Sequence, residues 1–335
     1  MSGKPETWLK DLKVVALAGG VGGAKLAVGL DHALEPGNLA VIVNTGDDFE
    51  HFGLKICPDL DTVCYSLAGM ADRHHGWGLE HESWQVATAL RDLQAPTWFQ
   101  LGDRDLATHL ERTRLLRKGM TLEEVTRHFC RQWGIQTQVI PMSNHAFRTM
   151  IKTREGSLLS FQEYFVRDQF VPEIEEIIFE KSVDIKAAPQ VLDSLQAADL
   201  VVLCPSNPWV SIDPILCLPG IKKVLKIKPV VAVSPIIQGK ALKGPAAKMF
   251  AELGIEPSAR SVLEHYIVLV DGYIYDVQDG DLFEKGAYPR IIIRKTNTIM
   301  KNDEDKVNLA REVLAVGKIL IEQASGHDDM GNCSS

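Results

Sequence analysis

The sequence is poor in the features that mark several large classes of protein. No apolar run approaches the ~20 residues needed to cross a bilayer, so no membrane span is expected. The opening residues, MSGKPETWLKDLK, hold nothing like the apolar core of a secretory signal, which points to a cytoplasmic protein. Cysteine is sparse and scattered. Cys57, Cys64, Cys130, Cys204, Cys217 and Cys333 never form a C-x-x-C pair, which speaks against a zinc knuckle or a disulfide framework. Most of them read as small core hydrophobes. Basic residues are too few for a nucleic-acid footprint, with 36 Lys and Arg against 44 Asp and Glu and a net charge of −8. A phosphorylated ligand stays open, because a few local donors can hold a phosphate in an acidic protein. Internal repeats and Gly/Ser linkers are missing too. What remains is ordinary globular composition over 335 residues, 45% hydrophobic and 24% charged, enough for one large domain or two modest ones.

The apolar segments are arranged as strand and helix in alternation. Lys13 to Ala18 (KVVALA) is a short β-branched run that meets a glycine cluster at once, the pattern of a buried parallel strand. Lys25 to Leu34 reads as a helix and Leu39 to Asn44 as a second buried strand, which makes a βαβ unit. Helices are expected at Pro58 to Gly69, Trp84 to Leu93, Asp105 to Lys118 and Thr121 to Trp133, the last opened by a Thr121/Glu124 capping box. From Ile135 to Ile178 short alternating stretches such as FRTMIKT suggest antiparallel strands. Parallel patterning returns at Asp199 to Cys204 and Pro229 to Ser234, with Tyr266 to Val270 a further candidate strand. Asn302 to Gln323 reads as a long amphipathic helix. The expected fold is therefore α/β: a Rossmann-like open parallel sheet with helices on both faces and a small inserted α+β layer. Its single domain would span residues 12–324, with a core of about 12–134 and 196–324, an insertion of about 135–195, and flexible tails at 1–11 and 325–335.

Ligands of such sheets bind at the carboxyl ends of the strands, so the residues after each strand carry the functional reading. After the first strand stands Gly19-Gly20-Val21-Gly22-Gly23-Ala24-Lys25, a loop whose bare backbone can approach an anion in front of a helix N-terminus. It is neither a dinucleotide fingerprint, which needs glycine at Lys25, nor a Walker A loop, which needs glycine at Ala24 and a hydroxyl at Leu26. A tight turn with no ligand is the plain alternative. After the second strand comes Asn44-Thr45-Gly46-Asp47-Asp48, and eleven residues beyond Asp48 is Pro58-Asp59-Leu60-Asp61-Thr62. Adjacent carboxylates repel unless a cation compensates, and clustered hard oxygens suit Mg²⁺. An N-cap role would explain Asp59 or Asp61 alone, but hardly all four acids. In Leu101-Gly102-Asp103-Arg104-Asp105, Arg104 either forks onto a phosphate or pairs with Asp103 or Asp105 to brace a helix start. After the later strands come Ser206 and Asn207, then Ser234, Lys240 and Lys243, donors suited to a base or a diphosphate. His74, His75 and His81 read as exposed loop residues rather than metal ligands.

Taken in order and spacing, GGVGGAK, NTGDD, CPDLDT, LGDRDLATH, PSNPWVSIDPIL and SPIIQGKALKGP resemble the 2-phospho-L-lactate transferase family of deazaflavin coenzyme F-420 biosynthesis, in its bacterial form. The resemblance runs from about Val14 to Asp271. It implies an Mg²⁺-dependent enzyme that joins the deazaflavin Fo to a three-carbon acid carried as a guanosine diphosphate derivative. The terminal ribityl hydroxyl attacks the phosphorus bearing the acid, and GMP leaves. Carried onto this sequence, Asp61 and Gln100 fall at the family's Fo contacts. Asp48, Asp61 and Asp47 are the implied metal ligands, with Asp48 or Asp47 the expected proton acceptor. The resemblance also implies a homodimer. Gly20, Gly22, Gly23, Lys25, Thr45, Asp103, Arg104, Ser206, Asn207, Ser234, Lys240 and Lys243 complete the expected substrate contacts. Two rival readings remain: a non-catalytic nucleotide-sugar-binding regulator of a related sister group, and an NAD-dependent oxidoreductase, against which Lys25 speaks.

Overall fold

Runs of small and β-branched apolar residues build the centre of the molecule. The computed structural model describes residues 7–72, 76–242 and 244–331. β1 (Val14–Ala18) leads through α1 (Gly20–Ala33) to β2 (Leu39–Val43). A short hairpin of β3 (Phe49–His51) and β4 (Leu54–Ile56) stands beyond β2 and hands on to α2 (Pro58–Leu67). Three helices follow, α3 (Gln85–Asp92), α4 (Asp103–Arg117) and α5 (Leu122–Gln132), the last with its capping box formed. After β5 (Gln138–Pro141) come β6 (Phe147–Thr153), β7 (Leu158–Ser160) and β8 (Ile174–Lys181). Then α6 (Pro189–Ala197) returns the chain to β9 (Leu200–Leu203). Two short helices, α7 (Asp213–Leu216) and α8 (Ile221–Leu225), precede β10 (Val230–Val233). A small hairpin of β11 (Ile236–Ile237) and β12 (Lys240–Ala241) leads to α9 (Ala246–Glu252) and α10 (Ala259–Tyr266). The chain closes with β13 (Gly272–Asp276), β14 (Ile292–Thr296) and α11 (Asp303–Gly331).

Seven strands form one sheet in the order β14-β13-β10-β9-β1-β2-β5, every pairing parallel. Alternate residues of each strand feed opposite cores, as the two-residue period of a strand requires. Val14, Ala16, Val41, Val43, Leu200 and Val202 pack with α1, α2 and α11. Val15, Leu17, Ile42, Val201 and Leu203 pack with α6 to α10 and the small antiparallel sheet β7-β6-β8. The α1–α11 contact is close enough that a Cβ on Gly29 would lie 2.2 Å from the Lys306 carbonyl oxygen. From β1 the chain builds outward through β2 and β5, then returns to β9 on the other flank of β1. The β1/β9 boundary is thus the switch point at which an open α/β sheet opens a crevice. Among the described residues no helix is long and apolar enough to cross a membrane.

Several details depart from the sequence reading. β5 lies inside the stretch assigned to the insertion, yet it pairs in parallel with β2 and belongs to the main sheet. Residues 266–270 are not a strand: α10 ends at Tyr266 and the strand starts at Gly272. A short apolar run does not distinguish a buried strand from a helix end. α1 begins at Gly20, so most of the glycine cluster is helix rather than loop. Thr7–Leu9 form a 3₁₀ turn whose Trp8 and Leu9 pack on the core, and α11 continues to Gly331. Residues 1–6 and 332–335 lie outside the described residues.

Candidate active site

The glycines after β1 are set by close packing. Gly19 is the extended N-cap of α1, and Gly20 has φ +60°, a left-handed value that a side chain resists. A Cβ on Gly19 would come within 2.5 Å of Asp59 Oδ2, and one on Gly22 within 2.2 Å of the Pro205 carbonyl oxygen. On Gly23 it would meet Ser206 Oγ at 2.6 Å. The turn is thereby wedged between the start of α2 and the loop after β9. Ser206 Oγ donates to the Gly19 carbonyl at 2.7 Å and accepts from the Gly19 amide at 3.2 Å. The Gly20 amide donates to Asp59 Oδ1 at 2.7 Å, so part of the anion seat at the α1 N-terminus already holds a carboxylate.

Four acids gather beside this turn. Asn44, at the end of β2, donates to Asp59 Oδ2 at 2.9 Å and to the Val210 carbonyl at 3.1 Å. Burial pushes the Asp59 carboxyl up to about 6, with the bonds from Asn44 and Gly20 pulling it down and the Asp48 charge adding to the rise. Asp47 is pushed well above the ordinary range by burial, then by the charges of Asp59 and Asp48. Its Oδ1 is buried and has no hydrogen-bond partner, and the same holds for Thr45 Oγ1 and Asp48 Oδ1. The other oxygen of Asp48 lies 3.1 Å from Lys55 Nζ and accepts from Cys57 Sγ at 3.1 Å. Burial keeps the Cys57 thiol protonated by raising it well above its usual value.

Asp61, in the first turn of α2, meets a different partner. Arg112 of α4 forks onto both its oxygens, Nη1 to Oδ2 at 3.1 Å and Nη2 to Oδ1. Burial works against the Arg112 charge, but the Asp61 carboxylate more than offsets it and holds the guanidinium above its ordinary range. His109 Nδ1 lies 3.0 Å from Arg112 Nη1, and its Nε2 lies 3.3 Å from Asp105 Oδ2. Tyr65 donates to the remaining Asp105 oxygen at 2.7 Å. Ligand atoms of Asp61, Asp105 and His109 all fall within 4.8 Å of one another.

These groups border a cleft of about 960 Å³ at the carboxyl edge of the sheet. Of the residues expected from sequence, Gly20, Gly22, Lys25, Asp47, Asp61, Gln100, Ser206, Asn207 and Ser234 line it. Asp48, Thr45 and Gly23 stand behind the lining. Lys25 Nζ donates to the Met300 carbonyl at 2.7 Å. Asn207 Oδ1 accepts from the Trp209 amide at 3.1 Å, and Ser234 Oγ bonds both the amide and the carbonyl of Ile236. Asp103 and Arg104 lie off the cleft. Asp103 accepts from Ser83 Oγ and from the Gln85 and Val86 amides, fixing the start of α3. The Arg104 guanidinium donates to the Glu80 carbonyl rather than pairing with Asp103 or Asp105. Lys240 is exposed on β12 away from the lining. Lys243, His74 and His75 lie outside the described residues.

The sequence reading missed two groups. Asp105, His109 and Arg112 share one face of α4 at i, i+4 and i+7, a spacing that was legible. The aromatic walls left no such signal. Trp77, Trp98 and Phe99 come from loops before α4, and Phe161, Phe165 and Phe170 come from the segment after β7. Phe161 and Phe165 stack with centroids 5.6 Å apart and planes 10° off parallel.

A cleft at the switch point of a parallel sheet, with a helix N-terminus, clustered acids and aromatic rings, defines a Rossmann-like α/β protein. Comparison with known proteins narrows the class. The sequence profile of the family described as 2-phospho-L-lactate transferase CofD matches residues 14–316. A Phosphoenolpyruvate transferase of Streptomyces griseus is 38% identical over 314 residues, covering 92% of this chain and 99% of that protein. A Phosphoenolpyruvate transferase of Thermobifida fusca is 39% identical, covering 83% and 91%. A 2-phospho-L-lactate transferase of Methanococcoides burtonii is 34% identical, covering 90% and 99%. The solved structure of a UPF0052-family protein from Bacillus halodurans superposes with a TM-score of 0.58 at 15% identity, covering 91% of this chain and 99% of that one, which shows the fold alone. The chain belongs to the 2-phospho-L-lactate transferase CofD family and is a phosphotransfer enzyme of coenzyme F-420 biosynthesis.

Proposed function

We propose that the enzyme transfers a phospho-three-carbon acid from its guanosine diphosphate derivative to the terminal ribityl hydroxyl of Fo, releasing GMP. The observation that carries this reading is the facing of Asp47, Asp59 and Asp61 with the α1 N-terminus inside a cleft walled by aromatic rings. Flat rings favour stacking on aromatic faces, which suits the deazaflavin and the guanine. Displacement at a diphosphate depends mainly on positioning and charge neutralisation. A buried acidic cluster lacks the second on its own. Mg²⁺ fits the loop after β2, where Thr45, Asp47 and Asp48 each bring a buried oxygen without a partner. Held there by Asp47 and Asp48, it would neutralise the diphosphate and stabilise the charge that develops on transfer.

The protein's own residues do the rest. Asp61 borders the cleft with its carboxylate fixed by Arg112, so it can accept a hydrogen bond from the ribityl hydroxyl and then its proton. The hydroxyl oxygen forms the new bond to the phosphorus bearing the acid. The bond from that phosphorus to the GMP phosphate oxygen breaks, and GMP leaves with the electron pair. Asp48, which with Asp47 is the proton acceptor expected from sequence, is engaged by Lys55 and Cys57. The test is incubation with Fo, Mg²⁺ and the guanosine diphosphate derivatives of phosphoenolpyruvate, 2-phospholactate and 3-phosphoglycerate, with mass spectrometry of the products. The enolpyruvyl donor is the first arm, because relatives at 38–39% identity carry the phosphoenolpyruvate name. A phosphodiester of Fo together with GMP is expected. Absence of that product with all three donors would overturn the reading.

A further inference from the structure

Three elements converge at one wall of the cleft: α2 with Asp61 and Tyr65, the face of α4 with Asp105, His109 and Arg112, and α5 with Phe129. Arg112 is 3% exposed and does not itself border the cleft. Its guanidinium carbon lies 5.8 Å from the Phe129 ring centroid, and Nη1 also reaches the Lys55 carbonyl at 3.4 Å. Among the described residues its one ion pair is with Asp61, and its charge also acts on Asp105.

Two consequences follow from the hydrogen-bond inventory. Arginine has donors and no acceptor, so His109 Nδ1 must accept from Arg112. On the far side of the ring, Nε2 lies 3.3 Å from Asp105 Oδ2, while Asp105 Oδ1 accepts from the Tyr65 hydroxyl. His109 thus stands between Arg112 and Asp105, its Nδ1 on the guanidinium and its Nε2 buried without a hydrogen-bond partner. Further, Asp61, Asp105 and His109 form a ligand set that suits a transition metal by spacing and donor type. A guanidinium 3.0 Å from His109 Nδ1 and bonded to both oxygens of Asp61 already fills the cationic place.

We propose that Arg112 is a positioning residue: it closes the Asp61–Asp105–His109 cluster to metal and locks the plane of the Asp61 carboxylate toward the cleft. The inference rests on the transfer reading for what Asp61 does to the alcohol, and on geometry alone for the exclusion of metal. A forked carboxylate cannot swing about its Cβ–Cγ bond, so its cleft-side lone pair stays where an alcohol oxygen must be aligned. Misplacement by about 1 Å is enough to cost ~100-fold in rate.

The test uses the full chain as wild type, Arg112→Lys, Arg112→Met and His109→Gln. Lysine keeps the charge and loses the fork. Arg112→Lys is expected to lower kcat about tenfold or more while KM for Fo changes less than ~3-fold. A purely structural role for the charge would leave kcat unchanged, and that result overturns the proposal. Co²⁺ serves as the optical probe of the cluster. Wild type is expected to show only the weak absorption of oxygen-ligated cobalt, unaffected by His109→Gln, whereas folded Arg112→Met gains a His109-dependent band. A His109-dependent band in wild type, or none in folded Arg112→Met, overturns the closed-cluster claim. If Arg112→Met does not fold, Arg112→Lys and wild type still decide. If wild type makes no Fo phosphodiester, the transfer reading has failed, and the cobalt spectra judge the metal exclusion separately.

Discussion

The two flanks of the cleft carry similar polar residues and use them in opposite ways. On the β9 and β10 flank, Ser206, Asn207 and Ser234 spend their hydrogen bonds on their own turns or on the glycine turn. On the β1, β2 and α4 flank, acids are brought together at a cost: Asp47 and Asp59 are pushed up by burial and by one another's neighbours, and several buried oxygens have no partner. Folding alone satisfies polar groups wherever it can. A concentration of unsatisfied acids on one flank is what the proposed transfer would draw on, and the satisfied flank shapes the cleft.

The comparison breaks most sharply at the acids that border the cleft. Asp61→Ala is expected to lower kcat about 1,000-fold and Asp47→Asn about 100-fold, with circular dichroism unchanged, the scale seen when a transition-state contact is lost. Asp48→Asn has a smaller effect on transfer, about tenfold, and a larger one on stability, because Lys55 and Cys57 lose their charged acceptor; thermal melts and steady-state rates separate the two.

The strain on the acidic flank also has a pH signature. Asp59 titrates near 6 in the folded chain against an ordinary 3.8, so folding favours its protonated form. Stability from this group is fully present below the unfolded value and is lost as pH rises through about 6. In metal-free protein the melting temperature of wild type should fall relative to that of Asp59→Asn between pH 4 and 7. A constant difference across that range would show that Asp59 is not under this stress. The smallest effects belong to the opposite flank. Ser234→Ala should leave kcat and KM within ~3-fold and lower stability by about 1 kcal/mol, the worth of an ordinary buried hydrogen bond. A large kcat loss there would make that flank catalytic and dissolve the contrast.

Legibility in the sequence followed how local each signal was. The parallel strands were readable because β-branched runs such as VVALA and LAVIV are followed directly by turn residues. The glycine turn and the two acid pairs were readable for the same reason. β5 was lost because QVIP is four residues long and ends in proline, so only its partner β2 reveals its place. Asp103 and Arg104 drew attention as polar residues at a helix start, and their partners Ser83, Glu80 and Glu82 engage them away from the cleft. Arg112 lay on a readable helical face, but its significance depends on Asp61, fifty-one residues away. The aromatic walls come from three separate segments that only the fold assembles.

The most direct test is a fluorescence titration of Fo into wild type, Asp61→Ala and Ser234→Ala, with and without Mg²⁺. Tight binding by wild type and Ser234→Ala, strongly weakened in Asp61→Ala, is the expected result. Equal affinity in all three proteins would contradict the assignment of the acidic flank as the place where the acceptor alcohol is held.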